Sequence, residues 1–156
     1  MKESFIRLFA FFASLLLIVL SLAAPIRQAI GGFPNGESVY RWLSLICHQL
    51  PSKSFWIFGF PCGLCSRCLA GYLGIAIAAL LVFRPQQYSK RVLLGGALLL
   101  PAMLDVAIQS ATNYESANLT RALTGFFGGI GVFILCFPSR LKKYSFQGGF
   151  KNEIFT

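Results

Sequence analysis

Four cysteines and the single histidine of the chain lie within one short segment, from Cys47 to Cys68. Cys62, Cys65 and Cys68 follow a C-x2-C-x2-C spacing, and the pair Cys47-His48 precedes them. Thiolate sulfur and imidazole nitrogen are the ligands of structural zinc sites, in which ligand pairs from separate segments complete a tetrahedron. These five residues therefore predict a metal site, with zinc as the first choice.

Other chemistry is open to the same cysteines. The spacing matches the first three ligands of a bacterial iron-sulfur sequence, but the expected fourth cysteine before a proline is missing, so a cluster is not favoured. Cys65 and Cys68 also suit a disulfide or a thiol-disulfide oxidoreductase facing an oxidising compartment. Cysteines in apolar helices can also be plain packing residues, and Cys136, alone in its apolar segment, is interpreted in that way.

Local backbone conformation limits the metal hypothesis. In a continuous helix, Cys62 and Cys68 would lie about 120° apart around the axis. All three cysteines of the C-x2-C-x2-C segment converge only if Pro61-Cys62-Gly63 is not helical, which its proline and glycine permit.

A second group of polar residues lies later in the chain, within apolar surroundings. Asp105 and Gln109 are one helical turn apart, and we expect Asp105 or Glu115 to pair with Arg121, because charges at membrane depth face the protein interior and pair. Such a pair can simply fix the helix register. Alternatively, the group forms a pocket that adds oxygen ligands to a metal, transfers protons or holds a substrate anion. The predicted pocket residues are Arg67, Asp105, Gln109, Glu115, Asn118 and Arg121.

The composition indicates that the cysteine segment and the polar group are carried by membrane-spanning helices. Of 156 residues, 56% are hydrophobic and 12% are charged, against about 25% charged residues in soluble domains. A bilayer core needs about 20 mainly apolar residues in a helix. We predict four spans, at 6–24, 66–83, 92–110 and 119–137, in an all-α membrane protein with a four-transmembrane-helix bundle. A single membrane domain covers 1–138, and 139–156 forms a basic, mobile cytoplasmic tail.

The first apolar segment has a second interpretation, as a signal peptide. Its apolar run exceeds the 7 to 15 residues typical of a signal core, so we expect a retained anchor. Between the first two spans, the spacing of apolar residues predicts an amphipathic helix over 38–50, lying on the membrane surface and ended by Pro51.

The distribution of Lys and Arg predicts the orientation. With four spans and the N-terminus inside, nine of the 14 basic residues lie on the inner side, as the positive-inside rule requires. This predicts a multi-pass protein of the cell (inner) membrane with cytoplasmic termini. The net charge of +9 then reflects topology and attraction to anionic lipid. Nucleic-acid binding is not predicted, because it would require a basic stripe on a soluble face and the sequence shows none. The cysteine segment and the polar group both fall at the outer boundary.

The assembled motifs resemble an uncharacterised family of small bacterial and archaeal predicted membrane proteins, a domain of unknown function. The resemblance covers about residues 45 to 130 and implies a shared site, without naming a reaction. The matching residues are Cys47-His48-Gln49, Leu64-Cys65-Ser66-Arg67-Cys68, Gly71, Asp105, Gln109, Glu115-Ser116, Asn118, Arg121 and Thr124-Gly125. The chain departs from the family pattern in having two residues between Cys68 and Gly71 and in having Val106 in place of a glycine. The resemblance also implies that Cys62 is an addition to the shared thiols.

These observations predict a polytopic membrane protein with an outward-facing Cys/His metal site, either structural or serving a small enzyme or transporter. The alternatives are a membrane thiol-disulfide oxidoreductase and a non-catalytic membrane assembly factor. Nucleotide-binding loops, serine-nucleophile motifs and zinc-protease helices are absent from the sequence. Partners other than the lipid bilayer are not indicated.

Overall fold

The computed structural model describes residues 2–31, 37–81, 88–112 and 114–136. Within these ranges, five α-helices carry the fold, and the loop before the third contains a 3-10 turn at Pro51–Lys53 and a small hairpin. The elements are α1 (Lys2–Gly31), α2 (Glu37–Leu43), β1 (Trp56–Ile57), β2 (Phe60–Pro61), α3 (Ser66–Leu81), α4 (Tyr88–Ala111) and α5 (Asn118–Cys136). The ends predicted for spans two and four, at 82–83 and 137, and the tail 139–156 lie outside the described residues.

Three helices in the described part of the chain are long and apolar enough to cross a membrane. Their apolar segments are Ser4–Gly31, Ser89–Ala111 and Asn118–Cys136. α3 is apolar but has 16 residues, which is about 24 Å of helix against a hydrocarbon core of about 30 Å. The mostly helical architecture follows the prediction, and the first span is longer than predicted.

Within the described residues, the long helices pack side by side in a row, in the order α1, α3, α5 and α4. α3 packs between α1 and α5, and α5 packs between α3 and α4, so that α1 and α4 lie at opposite ends of the row. The distribution of glycine on α5 explains this order. Gly125 and Gly129 face the backbone of α3, whereas Gly128 and Gly131 face α4.

The contact between α3 and α5 is unusually close, as the small residues of both segments predict. A Cβ atom at Gly129 would collide with the carbonyl group of Gly71, and one at Gly74 would collide with the carbonyl group of Phe126. Backbones that approach in this way bury little side-chain volume but gain dispersion contacts. α5 is therefore the central helix that fixes the positions of both of its neighbours.

Helix α2 is shorter than the predicted 38–50 helix. It ends at Leu43, whose carbonyl oxygen accepts hydrogen bonds from the N–H groups of Ile46 and Cys47. The chain then turns, and Gln49 adopts a left-handed backbone conformation with φ of 50°. The side-chain amide of Gln49 donates to the carbonyl oxygens of Tyr40 and Gly63. These bonds replace helical ones, so the segment after Leu43 is a loop.

The hairpin of β1 and β2 was not predicted. Phe58 and Gly59 form its two-residue turn, with φ of 51° and 81°, as in the type I′ turns that close tight hairpins. The hydroxyl of Tyr40 donates to the carbonyl oxygen of Pro61 at 2.5 Å. The hairpin is thereby tied to α2 and returns the chain to the start of α3.

Candidate metal centre and adjoining pocket

Three sulfur atoms meet just before and within the first turn of α3. The Sγ atoms of Cys47, Cys65 and Cys68 all lie within 4.8 Å of one another. Cys47 and Cys65 are buried and Cys68 is half-buried. Among the residues that the structure describes, this thiol trio is the group of three His, Cys, Asp or Glu ligands close enough to hold a metal ion.

Backbone N–H groups point at two of the sulfurs. The N–H of Cys65 donates to the Sγ of Cys47 at 3.3 Å, and the N–H of Gln49 also donates to that sulfur. The N–H of Cys68 donates to the Sγ of Cys65. Donors of this kind stabilise negative charge on sulfur, as ligand thiolates require.

The thiols also affect one another. Hydrogen bonds from the Cys65 and Cys68 thiols to the Cys47 sulfur lower the pKa of Cys47 far below its ordinary value, against the opposing effect of burial. The pKa of Cys65 is raised by its hydrogen bond to Cys47 and by burial. A thiolate on Cys47 therefore makes a second thiolate beside it unfavourable unless a cation is present.

Helix α1 holds the segment that carries these thiols. The carbonyl oxygen of Ser21 accepts a hydrogen bond from the N–H of Gly63 at 3.0 Å, and its hydroxyl accepts one from the N–H of Leu64 at 2.9 Å. Leu43 and Leu64 pack against the cysteines in a buried apolar cluster. Both Ser21 and Leu64 are fully buried, so the loop is anchored in the protein interior.

A pocket of about 220 Å³ adjoins the trio. It brings together residues from the cysteine segment and from the later polar group, which the sequence places far apart. Its lining residues are His48, Lys53, Cys65, Arg67, Cys68, Gln109 and Arg121.

A hydrogen-bonded network connects α3, α4 and α5 beside this pocket. Arg67 forms an ion pair with Asp105. The hydroxyl of Ser116 donates to the Asp105 carboxylate at 3.3 Å and accepts from the Nε–H of Arg121 at 2.9 Å. The Oε1 of Gln109 accepts from Arg121, and its amide N–H donates to Ser116.

The prediction that Arg121 pairs with Asp105 or Glu115 is therefore wrong. Asp105 pairs with Arg67 instead, and the buried Ser116 hydroxyl separates the carboxylate from Arg121. Glu115, the other expected partner, is exposed. The physical reason is that α3 and α4 each pack on α5 and bring Arg67 to Asp105 from another helix. Ser116 was matched to the family motif beside Glu115, but the sequence did not indicate what its side chain does.

Asn118 links the start of α5 to the loop instead of lining the pocket. Its amide donates to the carbonyl oxygen of Ser54 at 3.2 Å. The hydroxyl of Ser66 lies within hydrogen-bond distance of both Asn118 and the Lys53 carbonyl oxygen. These contacts hold the first residues of α3 and α5 side by side.

Two predicted ligands lie outside the trio. Cys62 is buried, and burial raises its pKa, but its sulfur is not part of the three-ligand group. His48 is exposed and lines the pocket. Sequence reasoning gave no role to Ser21 or Lys53, because nothing in the local pattern distinguishes them from other serines and lysines.

Comparison with known proteins agrees with this picture. The chain matches the family described as "Predicted membrane protein (DUF2085)" over residues 47–135. An uncharacterised protein from Methanocaldococcus jannaschii is 31% identical over 104 residues, which is 64% of this chain and 67% of the relative. An uncharacterised protein from Methanothermobacter thermautotrophicus is 37% identical over 92 residues, or 58% and 83% of the two chains. No solved structure matches the chain.

The family match begins at Cys47 and includes every thiol of the trio and every residue of the polar network. The resemblance found in the sequence motifs is thus confirmed, and the chain is a membrane protein with several apolar helices. It belongs to the DUF2085 family of predicted membrane proteins.

Proposed function

We propose that this chain binds one metal ion, zinc first, through Cys47, Cys65 and Cys68 at the outer face of the inner membrane. The observation that carries the proposal is the convergence of three sulfur atoms within 4.8 Å of one another. In a tetrahedral site with Zn–S bonds of about 2.3 Å, the sulfurs would lie about 3.8 Å apart. The N–H donors on Cys47 and Cys65 support thiolate ligands.

The fourth coordination position distinguishes a structural from a reactive site. His48 lines the adjoining pocket and is exposed, so its imidazole is the candidate fourth ligand if the loop closes over the metal. Three protein ligands with water in the fourth position are typical of catalytic zinc, whereas four protein ligands are typical of structural zinc. Because a pocket opens beside the trio, we favour the open position.

For the membrane topology we propose four spans. Contacts of α5 with its two neighbours, near its start and near its end, support α3 as the additional span. Ser66 of α3 lies beside Asn118 of α5 at one end. At the other end, Arg91 of α4 donates to the carbonyl oxygen of Ile134 of α5. α3 lies between α1 and α5, and therefore at the depth of two helices that are long enough to cross.

Four spans place both termini on one side, which we assign to the cytoplasm. The excess of basic residues on that side supports the assignment. Reporter fusions test it directly. A periplasmic phosphatase fused after residue 45 should be active, and one fused at residue 85 or at the C-terminus should be inactive. Active fusions at residue 85 would contradict the orientation.

Metal analysis of the full-length protein tests the metal hypothesis. Protein purified in detergent through a tag without histidines should contain about one zinc ion per chain. Replacement of Cys47, Cys65 or Cys68 by serine should abolish it. Cys62→Ser and Cys136→Ser are matched controls that should retain the metal, since neither sulfur belongs to the trio. Metal-free wild-type protein that takes up no zinc would refute the proposal.

A thiol-disulfide oxidoreductase is the second candidate, favoured by the position of Cys65 and Cys68 at the start of α3. In this function the two thiols would form a disulfide and pass two electrons and two protons to an acceptor such as a membrane quinone. Trapping of thiols in intact cells separates the two functions. Cys65 and Cys68 should cycle between reduced and oxidised forms under the redox hypothesis and remain reduced under the metal hypothesis.

A further inference from the structure

The pocket beside the thiol trio contains more positive charge than the nearby acidic group balances. Lys53, Arg67 and Arg121 line it. Asp105, paired with Arg67, is the carboxylate of this network. Within the described residues, the other ion pair lies in α2, away from the pocket. Three cations and one carboxylate leave a surplus of two positive charges.

Arg121 is the most deeply placed of these cations. It is 3% exposed and lies in the first turn of the apolar helix α5. Its Nε–H donates to Ser116 and its terminal N–H donates to Gln109, both of which are neutral. A buried charge that has only neutral partners is costly, and an arriving anion would remove that cost.

The other two cations also have unused donor capacity. The Nε–H of Arg67 is buried and has no hydrogen-bond partner, although another of its N–H groups pairs with Asp105. Buried donors are nearly always paired in native proteins, so this N–H lacks the partner that it would be expected to have. The half-buried Lys53 reaches no carboxylate within 4 Å among the described residues.

We propose that this pocket binds a small phosphate-type oxyanion, with Arg121 as the buried counter-charge and Lys53 and Arg67 as additional ligands. Guanidinium groups suit this role because their planar donors match the oxygens of phosphate. A phosphate that carries one or two negative charges matches this surplus, which falls from two to one when Cys47 is a thiolate or when three thiolates hold Zn²⁺. A metal ion on three thiolates would reduce the surplus without removing it.

The size of the pocket limits the ligand. About 220 Å³ is below the range of about 300–1,000 Å³ that is typical of drug-sized ligands. A free inorganic anion fits, and so does the phosphate of an anionic lipid headgroup, because the pocket lies where α3 and α5 begin and α4 ends. The proposal rests on fixed cations and not on the metal, so either can fail without the other.

Binding of radiolabelled inorganic phosphate tests the free-anion source. The full chain is placed in nanodiscs of zwitterionic phosphatidylcholine, with a chelator present, and studied by equilibrium dialysis. We expect saturable binding that Lys53→Gln weakens about tenfold or more, since a charge-assisted bond is lost. Lys53→Arg keeps the charge and should bind normally. Lys90→Gln, an exposed lysine on α4, is the matched control and should leave binding unchanged.

Native mass spectrometry tests the lipid source. Wild-type protein in mixed micelles should retain phosphatidylglycerol, and Lys53→Gln should lose it, if the ligand is a headgroup. Arg121→Gln should have the same effect in either assay, provided that its thermal unfolding shows a folded protein. Binding of neither probe by the wild type, or equal binding by Lys53→Gln, would overturn the proposal.

Discussion

The backbone N–H of Leu64 donates a hydrogen bond to the hydroxyl of Ser21 at 2.9 Å, across 43 positions of the chain. Both residues are fully buried. A membrane helix thus carries, on its inner face, an acceptor for the loop that presents the cysteines. The first helix is therefore part of the site's support and not only an anchor, although the family match begins after it, at Cys47.

Replacement of Ser21 by alanine should loosen the cysteine loop. The buried N–H of Leu64 would lose its acceptor, at a cost of about 1–3 kcal/mol. We expect a lower thermal unfolding temperature in detergent and weaker zinc binding in a competition assay with a chromophoric chelator. Ser110→Ala removes an exposed hydroxyl from α4 and serves as the control. Equal behaviour of the two variants would show that the Ser21 bond does not support the loop.

Two substitutions of Gln49 separate the effect of its backbone conformation from the effect of its side-chain hydrogen bonds. Its backbone is left-handed, with φ of 50°, and its amide bonds Tyr40 and Gly63. Gln49→Ala loses the amide bonds and keeps the unfavourable conformation, whereas Gln49→Gly loses the bonds but removes the conformational cost. The glycine variant should therefore unfold at higher free energy than the alanine variant, by about 1 kcal/mol.

Chemical denaturation of both variants in the same detergent measures that difference. The wild type should be more stable than either, because its two amide bonds join α2 to the segment before α3. If the alanine variant matched or exceeded the glycine variant, the left-handed conformation of residue 49 would not be present in the native protein.

Some parts of this structure were accessible from the sequence because they are encoded locally. An apolar run long enough to cross a bilayer is recognised from its composition and length. The residue type and spacing of Cys65 and Cys68 predict a site. The pairing of Arg67 with Asp105 was not accessible, since it depends on how α3 and α4 are rotated about α5. The hairpin at Phe58-Gly59 was also missed, because each strand has two residues and no alternating pattern can develop.

The glycines of α5 determine the order of the helix row. Gly129→Ala would place a methyl group against the backbone of Gly71, and a backbone cannot move aside as a flexible side chain can. Overpacking of this kind costs about 1–3 kcal/mol. Gly96→Ala is the control, because a Cβ atom there meets no atom within 4 Å, and alanine favours a helix by about 1 kcal/mol. The two variants should shift the unfolding temperature in opposite directions.

Arg91 has two roles that a paired substitution can separate. It is 6% exposed and donates to the carbonyl oxygens of Ile134 and Leu135 at the end of α5. A cation at the C-terminal end of a helix is favourable by up to about 2 kcal/mol when partly buried. Arg91 also contributes to the positive charge proposed for the cytoplasmic side.

Arg91→Gln and Lys90→Gln remove the same charge from adjacent positions, and Lys90 is exposed. Both should affect membrane orientation equally, as reported by the C-terminal phosphatase fusion. Only Arg91→Gln should lower the unfolding temperature, because only Arg91 satisfies the terminal carbonyl groups of α5. Equal destabilisation by both variants would mean that charge on this side, and not the contact with α5, stabilises the protein.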